Sequence, residues 1–190
     1  MKLHLIRMGC VFFLAVSLLH SCKEPDIKLV NKVKNFEPRW ATLSEKMSYL
    51  DRNLSMAEKR FEKDFGELEG MLGTIPDSLR GRKYRGMLKE YDLLIVDRDT
   101  MRTLYDSNKT VYVATVEEFN DWEKKVMNAD IETEAGLATL KDYRKIQKSI
   151  QADTDSMTTK LEALFQSHNT ILREISRMME VFTNYDIKMQ

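Results

Sequence analysis

Apolar residues recur every three or four positions along most of this chain, which is the spacing of one face of an α-helix. The first apolar seam comprises Trp40, Leu43, Met47, Leu50, Leu54, Ala57, Phe61, Phe65, Leu68 and Met71. We predict that its helix begins near Pro38, because proline fits the first turn of a helix and disfavours helix in the residue before it.

A second seam comprises Leu79, Tyr84, Met87, Leu88, Tyr91, Leu94, Ile95, Met101 and Tyr105, with Arg98 interrupting it. We predict a helix start at residues 74–77, where Thr74 can cap the helix and Pro76 lies in its first turn. We predict that this helix ends at residues 106–108 and that residues 111–113 form a connector. A separate short helix, capped at Thr115, then runs to about residue 128, because residues 115–118 match the capping-box pattern.

The longest seam runs from Leu140 to Tyr185, and eleven of its fourteen heptad positions are apolar. No proline or glycine follows Gly136. A helix over about residues 133–185 would be roughly 80 Å long at about 1.5 Å per residue. The sequence therefore predicts an all-α fold: an elongated antiparallel helical bundle or coiled coil with a long C-terminal helix. Whether the seams close within one chain or between chains stays open.

The N-terminal segment has a different pattern. Residues 8–19 form an uninterrupted, nearly apolar run behind Lys2 and Arg7. At twelve residues it fits the core of a signal peptide and is shorter than the roughly 20 residues of a membrane-spanning helix. The run ends in Leu19-His20-Ser21-Cys22.

These four residues resemble the lipobox of bacterial lipoproteins, where signal peptidase II cuts before the cysteine. The resemblance implies that residues 1–21 are a signal peptide, that cleavage falls between Ser21 and Cys22, and that Cys22 carries the lipid. A diacylglyceryl group with an added acyl chain such as palmitate exceeds the two signals needed for stable membrane anchoring.

The residues after Cys22 resemble sorting signals. Lys23 is not the aspartate that retains lipoproteins in the inner membrane, which implies an outer-membrane address. Lys23, Glu24 and Asp26 resemble the signal that exports lipoproteins of Bacteroidota-type bacteria to the cell surface. The periplasmic face and the cell surface both remain open.

Three short motifs resemble the O-glycosylation sites of such bacteria, in which Asp precedes Ser or Thr and an apolar residue follows. Their acceptor residues are Ser78, Thr100 and Ser156. The same resemblance to exported lipoproteins thus implies possible glycan attachment at these three positions.

Composition narrows the choice of partner. Loss of residues 1–21 removes Lys2 and Arg7 and no acid, so the 30 basic residues fall to 28 against 30 acidic ones. This nearly neutral, mixed charge argues against nucleic acid, which requires a basic face. We expect a tether over residues 22–37 and one helical bundle domain over residues 38–190.

The sequence offers few candidates for catalytic or metal-binding residues. His168 is the only histidine in residues 22–190, and it lies on the long seam. We interpret it, with Gln147 and Thr154, as a polar residue that sets helix register. The sequence contains no zinc-protease motif, nucleophile elbow or phosphate-binding glycine loop. We therefore predict no catalytic residue, no metal and no cofactor other than lipid on Cys22.

The function that these patterns favour is a non-enzymatic envelope scaffold or accessory subunit, because seams organise helix contacts and no motif gathers reactive groups. Its expected partners are the membrane, through the lipid, and another envelope protein or a second copy of the chain. The alternatives are a surface lipoprotein that binds an extracellular ligand or host factor, and an enzyme that uses carboxylates alone.

Overall fold

A computed structural model describes residues 24–73 and 82–189 of this chain. They form four helices, α1 (Ile27–Lys34), α2 (Pro38–Gly73), α3 (Arg82–Met127) and α4 (Thr133–Met189). No strand is present in these two ranges, and the three long helices pack against one another. The prediction of an all-α helical bundle with a long C-terminal helix is confirmed. The lipobox with Ser21, Cys22 and Lys23, and the helix start at residues 74–77 with Ser78, lie outside the described residues.

The first and last seams form the helices that the sequence predicts. Helix α2 begins at Pro38, and α4 begins at Thr133. The α2 seam is buried from Trp40 to Phe61, and Leu68 is buried as well. Phe65 is half-buried and Met71 is exposed, so the burial of the seam decreases towards the end of the helix.

The predicted interruption in the middle of the chain is wrong. Helix α3 runs without a break for 46 residues, through residues 106–108, the supposed connector and the supposed cap at Thr115. The three-four spacing continues through half-buried Asn108 and buried Thr115 to Phe119 and Trp122. Because these aromatic rings are buried on the same side as Tyr105, packing outweighs the local capping signal.

The segment before Pro38 contains a short helix. The sequence predicts a tether over residues 22–37 that can include a short amphipathic turn; Ile27–Lys34 is helical, and Leu29, Val33 and Phe36 are buried. Asp26 caps α1, since its Oδ1 accepts hydrogen bonds from the backbone N–H groups of Lys28 and Leu29.

The chain divides into two compact units. One helical bundle domain over residues 38–190 remains a prediction. Within the described residues, unit 1 comprises 24–40 and 114–146, and unit 2 comprises 41–73, 82–113 and 147–189. The long helices contribute to both units, because each unit boundary falls inside a helix.

Unit 1 has an aromatic core. Phe36 lies edge-on to Trp40 and Phe119, with ring centroids 5.7 Å and 5.6 Å apart, and Phe119 lies edge-on to Tyr143 at 5.3 Å. Trp122, which the sequence did not single out, closes this cluster and is also buried. Such edge-to-face pairs add to the stability gained from burial alone.

Unit 2 is a bundle of three helices. Its buried positions include Leu50, Leu54 and Phe61 on α2, Tyr91 on α3 and Ile171 on α4. Hydrogen bonds from Arg60 on α2 to Asn169 on α4 and from Asn108 on α3 to Thr154 on α4 tie the helices together.

Candidate functional site

His168 lies at the centre of unit 2 and has no exposed surface. Its ring stacks on Phe61 of α2, with centroids 4.1 Å apart and planes 12° apart, and Tyr91 of α3 lies 5.5 Å away. Its Nε2 is 2.9 Å from Oδ2 of Asp64. Since an ionised carboxylate can only accept, we assign the proton to Nε2. Nδ1 is buried and forms no hydrogen bond with any described residue.

Burial is the main electrostatic influence on this histidine. Burial lowers the pKa of His168, and the hydrogen bond that its Nε2–H donates to Asp64 opposes that effect only in part. Arg60 also favours the neutral ring, and its Nε lies 3.5 Å from Asp64 Oδ2. His168 is therefore neutral at pH 7, and its hydrogen bond with Asp64 joins α4 to α2.

Gln147 and Thr154, the other polar residues on the long seam, are buried as well. Gln147 donates from Nε2 to Gln151 Oε1 at 3.0 Å, and Thr154 donates to the carbonyl of Ile150 at 2.8 Å. Asn108 of α3 reaches both Thr154 and Ile150. The hydrogen bonds of Gln147 and Thr154 thus satisfy polar groups within α4, and only the contacts from Asn108 reach another helix. The register role of Gln147 remains a prediction.

A second polar cluster joins α3 to α2. Arg102 donates from Nε to Glu58 Oε1 and from Nη1 to Asp51 Oδ1, both at 2.6 Å, and from Nη2 to Ser55 Oγ at 3.0 Å. The hydrogen bond from Arg102 lowers the pKa of Asp51. Burial raises the pKa of nearby Tyr105 to about 12. We call Arg102, Glu58, Asp51 and Ser55 the Arg102 clamp.

Arg98 lies one helical turn before Arg102 on α3, at the position that interrupts the second seam. It is buried, and its guanidinium donates to Asp99 Oδ1 and to the backbone carbonyl of Glu58. The half-buried acids nearest to these arginines are thus engaged in ion pairs that hold α2 and α3 together.

The outer side of α3 carries an exposed, uncharged stripe. It has a helical spacing of three and four residues, and four of its members are apolar and about half exposed. We call it the α3 stripe: Leu93, Val96, Thr100, Leu104, Ser107 and Val111.

A groove between α3 and α4 lies beside this stripe in unit 2. It consists of two adjoining cavities of about 310 Å³ and about 470 Å³, which share Leu104, Met157 and Lys160. Asp153 lies at one end and Asp97 at the other. We call this feature the α3–α4 groove. The sequence did not reveal it, because the seams describe buried faces only.

Two of the predicted glycosylation residues, Thr100 and Ser156, line this groove. The hydroxyl of Thr100 donates to the carbonyl of Val96 at 2.8 Å. Both residues lie inside long helices, and modification at either position remains a prediction.

The described residues of the predicted export signal lie at the start of unit 1. Asp26 is the cap of α1, and its Oδ2 also accepts a hydrogen bond from Thr133 at 2.7 Å. Glu24 and Asp26 line an open cavity together with Asp130 and Glu132. Asp26 thus has a structural role that its place in the sequence did not indicate.

Over residues 24–73 and 82–189, no three His, Cys, Asp or Glu side chains come together in a way that could hold a metal ion. Among the helices of those ranges, none has the length and apolar character needed to cross a membrane. No protein-family model, no curated protein and no solved structure matches this chain.

Proposed function

We propose that this chain is a lipid-anchored, non-enzymatic scaffold or accessory subunit of the bacterial outer membrane, and that it works through helix–helix contacts with envelope proteins. The observation that carries this proposal is the α3 stripe, an uncharged and partly apolar helix face that remains exposed in unit 2. Depletion of charge with retention of apolar side chains is characteristic of the central part of a protein interface.

The energetics of the stripe support this reading. Full burial of a leucine or valine side chain contributes about 1.5–3 kcal/mol of free energy. Burial of the exposed half of such a side chain can therefore contribute about 1 kcal/mol more. The four apolar residues of the stripe are Leu93, Val96, Leu104 and Val111. Together they offer about 4 kcal/mol before the costs of association, which suits a modest and specific contact.

The polar side chains of unit 2 support a structural role. His168 is paired with Asp64 beneath Phe61, and the Arg102 clamp binds Asp51 and Glu58. An acid–base catalyst must reach the proton that it transfers. A histidine with no exposed surface and carboxylates held by arginine instead stabilise the contacts between helices.

The lipid anchor rests on the lipobox resemblance at Cys22. Five residue steps separate Cys22 from Ile27, the first residue of α1. A fully extended chain spans at most about 3.6 Å per residue, so an acylated Cys22 would hold α1 within about 18 Å of the bilayer surface. Unit 1 would then remain close to the membrane.

The anchor is tested by metabolic labelling with an alkyne fatty acid. We expect the wild-type chain to be labelled and the Cys22→Ala variant to carry no label, because the lipid is attached at that sulfur. Ser17→Ala, a substitution within the apolar run, serves as a matched control that keeps the label. Equal labelling of wild type and Cys22→Ala would refute the anchor.

The scaffold role is tested by cross-linking in living cells. A C-terminal affinity tag and a short amine-reactive cross-linker should yield a discrete complex of fixed composition with an envelope protein. The chain has exposed lysines in both units for this reaction, for example Lys124 and Lys63. A chain that stays monomeric at every cross-linker concentration would contradict the proposed role.

A further inference from the structure

We infer that unit 2 pairs with a second copy of this chain through the α3–α4 groove, with the two copies antiparallel about a two-fold axis near Leu104 and Met157. The inference deepens the proposed function and rests on it in one respect: it assumes that the protein acts through helix–helix contacts. It names a second copy as the partner on this face.

The groove has a definite centre. Leu104, Met157 and Lys160 belong to both of its cavities, so they lie where the two meet. On α3, Val96 lies eight residues before Leu104 and Val111 lies seven residues after it. Val96 and Val111 thus flank Leu104 at nearly equal distances, so an antiparallel two-fold pair brings Val96 of each copy opposite Val111 of its partner.

The charges beside the groove centre are self-complementary. Asp153 precedes Met157 on α4 by four residues, and Lys160 follows it by three. Both side chains are exposed and line the groove, and neither forms an ion pair with another described residue. A two-fold axis beside Met157 places Asp153 of each copy opposite Lys160 of its partner, which makes two equivalent ion pairs.

The same charges select the antiparallel orientation. In a parallel pair, Asp153 would lie beside Asp153 of its partner and Lys160 beside Lys160 of its partner, and juxtaposed like charges oppose association. Asp97, the remaining charged residue of the groove, lies at its far end and is exposed. That position corresponds to the rim of the interface, where charged groups stay hydrated.

The area of the proposed interface sets the affinity that we expect between the two copies. The α3 stripe from Leu93 to Val111 is about 27 Å long at about 1.5 Å per residue, and two adjacent helices are about 20 Å wide. Such a face buries about 1,100 Å² over both copies, close to the lower limit for specific interfaces. We expect a micromolar dissociation constant, with pairing favoured where two copies share one membrane.

The test uses the full-length protein in cells. A residue on the two-fold axis meets its own counterpart, so Leu104→Cys should form a disulfide-linked dimer after mild oxidation, since facing positions near the axis approach within disulfide reach. Met56→Cys is the matched control, because Met56 is exposed to a similar extent but lies on α2, away from the groove. The wild-type chain controls for any thiol at Cys22.

We expect at least a tenfold higher dimer yield for Leu104→Cys than for Met56→Cys. Equal yields from the two variants would overturn the inference. The readout does not depend on fatty-acid labelling at Cys22 or on capture of another protein. Failure of the pairing is therefore distinguishable from failure of the proposed function.

The predicted orientation is tested by exchange of charges in the Leu104→Cys background. Asp153→Lys and Lys160→Asp, each alone, should slow disulfide formation about threefold to tenfold, because each places like charges opposite one another. The double variant should restore the rate of the Leu104→Cys parent, because the pairs are re-formed with opposite polarity. Slower cross-linking in the double variant than in either single variant would overturn the antiparallel arrangement.

Discussion

Replacement of Arg102 by methionine should destabilise unit 2 by about 2–3 kcal/mol at pH 7. The substitution keeps an unbranched aliphatic stem and removes four hydrogen bonds to three partners: two to Glu58 and one each to Asp51 and Ser55. Hydrogen bonds to charged groups contribute about 1.5–3 kcal/mol each when buried. The clamp residues are between one-fifth and about one-third exposed, so we discount the contribution of each of the three partners to about 1 kcal/mol for solvent screening.

The pH dependence of this loss follows from Asp51. Its pKa in the folded protein lies below the ordinary value of 3.8, because Arg102 donates to the carboxylate. Between the lowered and the ordinary pKa, the unfolded chain binds more protons than the folded one, so the free energy of unfolding rises with pH there. The stabilisation is present above about pH 4 and is lost as the pH falls through the lowered pKa.

Urea unfolding followed by circular dichroism at pH 7 and at pH 2.5 measures both effects. The gap between wild type and Arg102→Met should be largest at pH 7 and should shrink at pH 2.5. Arg52→Met is the matched control, because Arg52 is exposed on the same helix as Asp51, and it should cost less than about 0.5 kcal/mol. A loss for Arg102→Met no larger than the control, or one that is unchanged at pH 2.5, would refute the reasoning.

The remaining predictions concern the core and His168. Phe61→Ala should destabilise the protein by about 3–5 kcal/mol in the same urea assay, because the ring is fully buried, and Met56→Ala on the exposed face should cost far less. Because burial lowers the pKa of His168, the wild type should lose stability as the pH falls below about 6.5, where the unfolded chain takes up a proton that the folded one resists. His168→Leu should remove this slope; retention of the slope would show that another group causes it. In a chain that begins at Cys22, His168 is the only histidine, which isolates the measurement.

Two of the three long helices could be predicted from sequence, because their apolar residues keep strict spacing. Helix α3 could not, since Asn108 and Thr115 occupy inward positions where an apolar residue would have signalled continuity. The short side chains of Thr103 and Thr110 donate to carbonyls four residues back, at Asp99 and Asp106, so these polar residues fit within a continuous helix. A local capping pattern was outweighed by aromatic burial farther along the chain.

The polar clusters could not be predicted because their partners are distant in sequence. His168 and Asp64 are 104 positions apart, and Asp26 and Thr133 are 107 apart. Arg102 lies at the flank of its seam, where an arginine normally faces solvent. Its partners become identifiable only after the register of α2 against α3 is known.

The aromatic core of unit 1 has a spectroscopic consequence. The chain contains two tryptophans, Trp40 and Trp122, and both are buried in unit 1. Intrinsic tryptophan emission is therefore a label-free reporter of unit 1 alone, while far-ultraviolet circular dichroism reports helix in both units. If the two signals melt at different temperatures, the units lose their structure in separate steps; if they coincide, one cooperative transition governs both.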